Sequence, residues 1–298
     1  MIKMVVVGSM AMDLVVTAKT RPKKGETLIG KTFKIIPGGK GANQAVAGAK
    51  LGADVVMMGC VGVDQFGEEI LDNLSRNNVD ATLIDNVEGV KSGTAHITLA
   101  ENDNSIVVIK GANEFTTSCY IKKNEDVFKS ADIVLIQQEI PEETVEYVID
   151  LCDKLEIPTI LNPAPARKVK IETIEKVTYL TPNEYEANIL FDVDDYRKIL
   201  YQYPNKLFVT EGEKGVRYHD GKTEVVIPTY KVKVADTTGA GDTFNSAFAI
   251  ALVEGKAIYE SLKFANRAAS LSVTKFGAQG GMPTRTEVVE KMQNCQLR

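Results

Sequence analysis

Two glycine-rich segments hold the residues best suited to handling a phosphorylated ligand. The first is Asp236–Phe244, DTTGAGDTF. It follows the extended, alternating stretch Glu224–Val234 and leads into Phe244, Ala247, Phe248, Ala251 and Leu252, which fall at helical spacing. Gly239, Ala240 and Gly241 therefore lie where a loop enters a helix. Glycine lets a ligand approach the backbone closely, and the first amides of a helix face outward with the positive end of its dipole. Their N–H groups make a candidate anion hole, with Asp242 at its edge. Aspartate is a common helix cap, and Asp242 can serve the helix alone. Beside bound phosphate, however, a carboxylate repels its neighbour unless it has a task, and accepting a proton from an attacking hydroxyl is such a task.

The second segment is Pro37–Ala45, PGGKGANQA, ahead of a helix with the apolar face Ala42, Ala45, Val46 and Ala49. Gly38 and Gly39 permit close approach of a polyol, Lys40 stands between glycines, and the Asn43 amide offers a donor and an acceptor to two hydroxyls. The same letters also fit a flexible turn before a helix. Neither G-x-x-x-x-G-K-[ST] nor G-x-G-x-x-G is present, so neither nucleotide fingerprint applies. Other polar residues close apolar runs: Glu139 after VLIQQ, Asn162 after TIL, Asn183 and Glu186 after VTYL, and Thr210 at the end of LFVT before the turn Glu211–Gly215. Asp13 follows the first run by a few residues. Any one of these reads as a loop residue. In succession they point to a shared edge, because an open parallel sheet gathers its ligands at strand ends.

The elements that must position them alternate. Short apolar runs (Met4–Val7, Asp54–Val61, Ile133–Ile136, Pro158–Leu161, Val177–Leu180, Leu207–Thr210) are separated by helical patterns at Gly41–Leu51, Phe66–Asn77 and Glu142–Leu155, with two more near the end. Uniformly apolar runs fit strands buried on both faces, so the expected class is α/β, a doubly wound and mostly parallel sheet. Asp13–Ile36 and Ser92–Lys110 break the rhythm and read as alternating hairpins. They are expected to pair as a projecting β-sheet lid (13–36 and 92–110) on a core made of 1–12, 37–91 and 111–298. A partly apolar exposed sheet needs cover, which favours a dimer.

A net charge of −5 and a pI near 5.3 provide no basic field for nucleic acid or an anionic membrane. Cys60, Cys119, Cys152 and Cys295 are far apart, and His96 and His219 cannot complete a zinc site with them. They read as reduced thiols of a cytosolic protein. The opening MIKMVVVGS is too short in its apolar run for a signal peptide, and no stretch approaches the roughly 18 apolar residues of a membrane span. A soluble, cytoplasmic protein is expected.

PGGKGANQAVAGAKLGA and DTTGAGDTFNSAF, with LNPAPAR and LTPNEYEA between them, resemble the phosphofructokinase-B (PfkB) carbohydrate kinase family over nearly the whole chain, from Val5 to Pro283. GGKGANQA combined with NPAPA and TPNE resembles its ribokinase branch. The resemblance implies ATP-dependent phosphorylation of D-ribose at O5, with Mg²⁺ on the nucleotide, by a homodimer clasped through the lid. It implies Asp242 as general base and the amides of Gly239, Ala240 and Gly241 as the anion hole. Asp13, Gly39, Lys40, Asn43 and Glu139 match sugar-side positions. Asn183, Glu186, Thr210, Gly212, Gly215, Gly241 and Asn266 match the nucleotide side, with Asn183 and Glu186 also near Mg²⁺ and the phosphates. A K⁺-type monovalent cation would lie among Asp236, Thr238, Ser272, Lys275, Gly277 and Gly281, several through backbone carbonyls.

Two departures stand out. Ribokinases carry N-x-D where this sequence has Ala11-Met12-Asp13. The lost Asn would bond a sugar hydroxyl, and a missing partner in a buried polar site costs roughly 1–3 kcal/mol. Water can replace it, or the sugar can lack that hydroxyl, as 2-deoxyribose does; deoxyribokinase also lacks this Asn. The stretch Phe191–Lys206 is shorter than the family pattern and reads as a trimmed surface helix away from the chemistry. A nucleoside substrate needs room for a base, yet Phe33 is the single aromatic of the lid segments. A non-catalytic sugar sensor on the same fold has no need for the intact DTTGAGD.

Overall fold

Strands without a polar face can only be accommodated between two layers of helices, and that requirement organises the centre of the molecule. A computed structural model describes residues 1–101 and 103–293. The first half contains β1 (Lys3–Val7), β2 (Ala11–Thr17), β3 (Thr32–Gly38), α1 (Lys40–Lys50), β4 (Asp54–Gly62), α2 (Gln65–Arg76), β5 (Val79–Asp80), β6 (Ile84–Val87), β7 (Gly93–Ala100) and β8 (Asp103–Ile109). Then come α3 (Ser118–Lys123), β9 (Ile133–Gln137), α4 (Glu142–Lys154), β10 (Thr159–Asn162), α5 (Ile171–Lys176), β11 (Tyr179–Leu180) and α6 (Glu184–Phe191). The chain closes with β12 (Val209–Thr210), β13 (Val216–His219), β14 (Glu224–Ile227), α7 (Ala240–Val253), α8 (Ile258–Ser272), α9 (Ala278–Gly281) and α10 (Arg285–Gln293).

The central sheet runs β11-β10-β9-β1-β4-β5, with β6 beside the end of β4, and every pairing in it is parallel. Bridges from Leu180 to Leu207 and from Asn183 to Thr210 continue it towards the antiparallel set β12-β13-β14. From β1 the chain winds outward first through β4 and later through β9, so the sheet has its switch point there. The crevice at the strand ends is the expected ligand site. One core packs α1, α7 and α8 on the face carrying Met4 and Val6, while a second packs α4 and α6 on the face carrying Val5 and Val7. Several expected strands are shorter than their apolar runs. Val177 ends α5 as its cap, leaving only Tyr179–Leu180 as strand, and the extended stretch after β13 stops at Ile227, because Pro228 has no N–H for a ladder.

The two alternating segments do meet, in a separate small sheet ordered β3-β2-β7-β8. Its hairpins are antiparallel, but they join through a parallel β2–β7 pair, and the strands extend to Ala11 and Gly38. Register puts Asp13, Val15, Ile36, Ala95 and Ile97 on one face, with Val15, Ala95 and Ile97 buried. Leu14, Val16, Phe33, Ile35, Val107 and Ile109 share the other face, where Phe33 is 59% and Val107 63% exposed. On the inner face Lys34 sits 3.9 Å over the Phe276 ring, linking this sheet to the loop before α9.

Cys60, Cys119 and Cys152 are free thiols, and burial pushes Cys60 up to about 11 and Cys152 up to about 12. Cys295 lies outside the described residues. Among the described residues no helix is long and apolar enough to cross a membrane.

Candidate active site

Gly239 adopts φ +78 at the N-cap of α7, a left-handed conformation for which glycine is the least strained choice. A Cβ there would also lie 2.8 Å from the Ala278 side chain. The turn so formed presents the first amides of α7. Gly239 and Gly241 N–H donate to nothing among the described residues, whereas Ala240 N–H closes the turn on Thr237 O at 3.3 Å. The expected three-amide hole is thus open at two positions, with the Ala240 amide engaged locally. The face of Gly241 is open, since no described residue beyond its own chain neighbours and helix backbone lies within 4 Å of where its Cβ would be.

Asp242 sits in the same first turn, 6% exposed, and does not cap the helix. Instead Oδ2 accepts from Asn43 Nδ2 at 3.0 Å and Oδ1 from Gln44 Nε2 at 3.1 Å. The two glycine-rich segments therefore meet through this carboxylate. Asn43 Oδ1 in turn accepts from Gln279 Nε2 at 3.0 Å, which leaves Asn43 one N–H and one lone pair for a ligand.

Gly39, the N-cap of α1 at φ +87, passes directly over β2, where a Cβ would lie 2.7 Å from Ala11 N. At Gly38 the close neighbour is the Asp13 carboxylate, 2.5 Å from a Cβ position. Burial pushes Asp13 up to about 7, and the Glu139, Asp242 and Asp236 carboxylates reinforce it while Lys40 opposes. Burial works against the Lys40 ammonium, but Asp242, Glu139, Glu186 and Asp13 outweigh it and hold Lys40 above the ordinary lysine value. Glu139 accepts from the Ser9 hydroxyl and, at 3.1 Å, from Lys40 N–H. Asp13, Lys40, Asn43, Glu139 and Asp242 thus form one mutually interacting cluster with a cation amid carboxylates.

The remaining expected residues divide. Asn183 and Glu186 form a reciprocal capping box on α6, 2.8 Å each way. Burial raises Glu186, and it still senses Lys40 and Asp242, so it borders the cluster. Thr210 ends β12 and bonds Pro182 O at 3.4 Å, while Gly212 and Gly215 bound the tight turn closed by Glu211 N–H onto Gly215 O at 2.8 Å. The stretch 191–206 is less remote than its sequence implied, because its buried Tyr196 bonds Glu211, next to Thr210. The Asn266 amide donates to Ile227 O and Pro228 O and braces the turn after β14. Asp236 accepts from Thr238 N and Oγ1 and from Gly277 N; burial raises its carboxyl, and these bonds lower it further, to a net value below the ordinary aspartate. Ser272 O faces the Cα of Gly281 closely enough to exclude any Cβ, its hydroxyl bonds Ala269 O, and Lys275 lies 3.8 Å from Glu287. Both Asp236 oxygens are thus taken by donors of the loops before α7 and α9.

The cluster thus pairs a buried carboxylate with free helix-start amides at a switch-point crevice. The model of the pfkB family of carbohydrate kinases matches residues 1–285. This chain belongs to the pfkB carbohydrate kinase family. Within the family it is 60% identical to a Bacillus subtilis ribokinase over 96% of this chain and 97% of that one. A Salmonella typhi deoxyribokinase is 38% identical over 94% of this chain and 95% of its own length. The structure of Arabidopsis thaliana ribokinase complexed with ribose and ATP superimposes with a TM-score of 0.87 at 33% identity, covering 97% of this chain and 98% of that one. The expected α/β fold with its small sheet is that of these kinases. Gln44, Gln137, Gln279 and Ser9 belong to the site but carried no assignment in the sequence; the one local signal was Gln44, a polar residue amid the apolar positions of α1.

Proposed function

We propose that the protein is a ribokinase that transfers the γ-phosphoryl of MgATP to O5 of D-ribose, with Asp242 as general base. The observation that carries this reading is the Asp242 carboxylate, buried beside the free Gly239 and Gly241 amides and tied to Asn43 of the other glycine-rich segment. A carboxylate in that place can take the proton of an attacking hydroxyl while the amides stabilise charge on the moving phosphoryl group. Asp13, Lys40, Asn43 and Glu139 bind and orient the sugar, and Gly39 brings the backbone against it. Asn183, Glu186, Thr210, Gly212 and Gly215 line the nucleotide side, and Asn266 supports it. Mg²⁺ bound with the nucleotide near Asn183 and Glu186 would neutralise phosphate charge. A K⁺ ion near Asp236, Thr238, Ser272, Lys275, Gly277 and Gly281 would steady the start of α7.

We assign residues 13–36 and 92–110 to a lid that excludes water from the crevice, and its exposed outer face to a homodimer contact. The reaction belongs in the cytoplasm, where ATP and reduced thiols coexist.

Ala11 favours a second reading, 2-deoxyribose as substrate. It is 5% exposed beside Gly39 and Asp13 and offers no hydrogen-bonding side chain. ADP release with each sugar separates the two: ribose should give the higher kcat/KM, and a higher value for 2-deoxyribose would establish the alternative. Ala11→Asn should improve ribose by about 5- to 150-fold and leave 2-deoxyribose unchanged.

A further inference from the structure

We propose that Gln44, held by Gln137, is a positioning residue that aims the Asp242 carboxylate at the acceptor hydroxyl. The inference rests on the reading of Asp242 as base. The terminal torsion of aspartate is soft and nearly two-fold, so a lone carboxylate does not hold its plane. Here both oxygens are held, Oδ2 by Asn43 and Oδ1 by Gln44. Asn43 faces the sugar and shares its amide with it. Gln44 is fully buried and is the clamp that remains whatever the ligand does.

A carboxylate accepts only, so each amide must turn its NH₂ towards Asp242 and find a donor for its own oxygen. Gln44 Oε1 accepts from Gln137 Nε2 at 2.7 Å, and the second Gln44 N–H goes to Asn162 Oδ1 at 3.3 Å. On the other side Asn43 accepts from Gln279, and Gln279 Oε1 accepts from Asn73 Nδ2 at 2.7 Å. Apart from the second Gln44 N–H, the donors of both relays run towards Asp242. The Gln44 arm also crosses from β9 through α1 to α7, so it references the base to the central sheet.

Gln137 shows that the arrangement is not made for stability. Its Oε1 is buried without a partner among the described residues and lies against Gly8, where a Cβ would come within 2.0 Å of it. An apolar side chain would fill this space without an unsatisfied oxygen. What it cannot do is orient Gln44. The charged groups around Asp242 are Lys40 on α1, Asp13 on β2 and Glu186 on α6, and Glu139 after β9 faces Asp13 and Lys40.

The test compares Gln44→Met, Gln137→Met and Asp242→Asn in the full chain, with ribose and ATP, by kcat, KM and thermal melting. Gln44→Met should lose about 10- to 100-fold in kcat, the worth of a hydrogen bond to a charged group, while the sugar KM changes by less than about threefold. Gln137→Met should show the same signature at about 3- to 10-fold, without a lower melting temperature, and it decides the matter if Gln44→Met does not fold. Unchanged kcat in both, with Asp242→Asn inactive, would overturn the positioning role while leaving the base intact. An active Asp242→Asn would overturn the base and the inference with it.

Discussion

Asp13 is held where solvation and its neighbours both disfavour charge, and this has a measurable consequence. Its carboxyl sits near 7 in the fold against 3.8 when unperturbed. The unfolded chain therefore releases this proton first, and raising the pH from about 4 to about 7 favours the unfolded state, with no further effect above the folded value. Asp13→Asn removes the penalty. The variant should melt higher than the wild type near pH 8, with a margin that shrinks towards pH 4, and it should bind ribose at least about tenfold more weakly. Melting curves across pH check this; a margin independent of pH would contradict it. At this scale the sequence was readable wherever glycine marks a close backbone approach, as at Gly39 and Gly239. It was silent on Gln137 and Gln279, and at Gln44 offered only a polar residue amid apolar positions, because an amide means little until its partners, far away in the chain, are in place. The spacing of Asn183 and Glu186 carries a capping-box signature, and in the fold the pair caps α6.

The small sheet shows what alternation encodes. Period-two patterning identified both hairpins as a partly apolar sheet, and in the fold Val15, Ala95 and Ile97 form its buried inner face. The parallel pairing of β2 with β7 was not legible, since it joins strands far apart in the chain whose register no local pattern records. The outer face leaves Phe33, Ile35, Val107 and Ile109 exposed on adjacent strands. A dimer through this face predicts that Phe33→Lys with Val107→Lys converts dimer to monomer in sedimentation, without unfolding, because neither side chain belongs to a core. A wild-type monomer, or a doubly substituted dimer, would place the contact elsewhere.

At the scale of the whole molecule, the sheet, the two helices α1 and α7 and the small sheet converge on one crevice. The alternation of apolar runs and helices encoded the parallel order, and the switch at β1 locates the site. The short strands β11 and β12 escaped exact placement because their runs are shared with a helix end and with single bridges. What the architecture achieves is to seat a carboxylate of α7 against the amides of α1 beside free backbone N–H groups. The most direct measurement is ADP formation by Asp242→Asn, with ribose binding followed calorimetrically on the same preparation. Turnover should fall by about 10²- to 10⁴-fold while ribose still binds. Turnover close to the wild type, with ribose bound, would contradict the account.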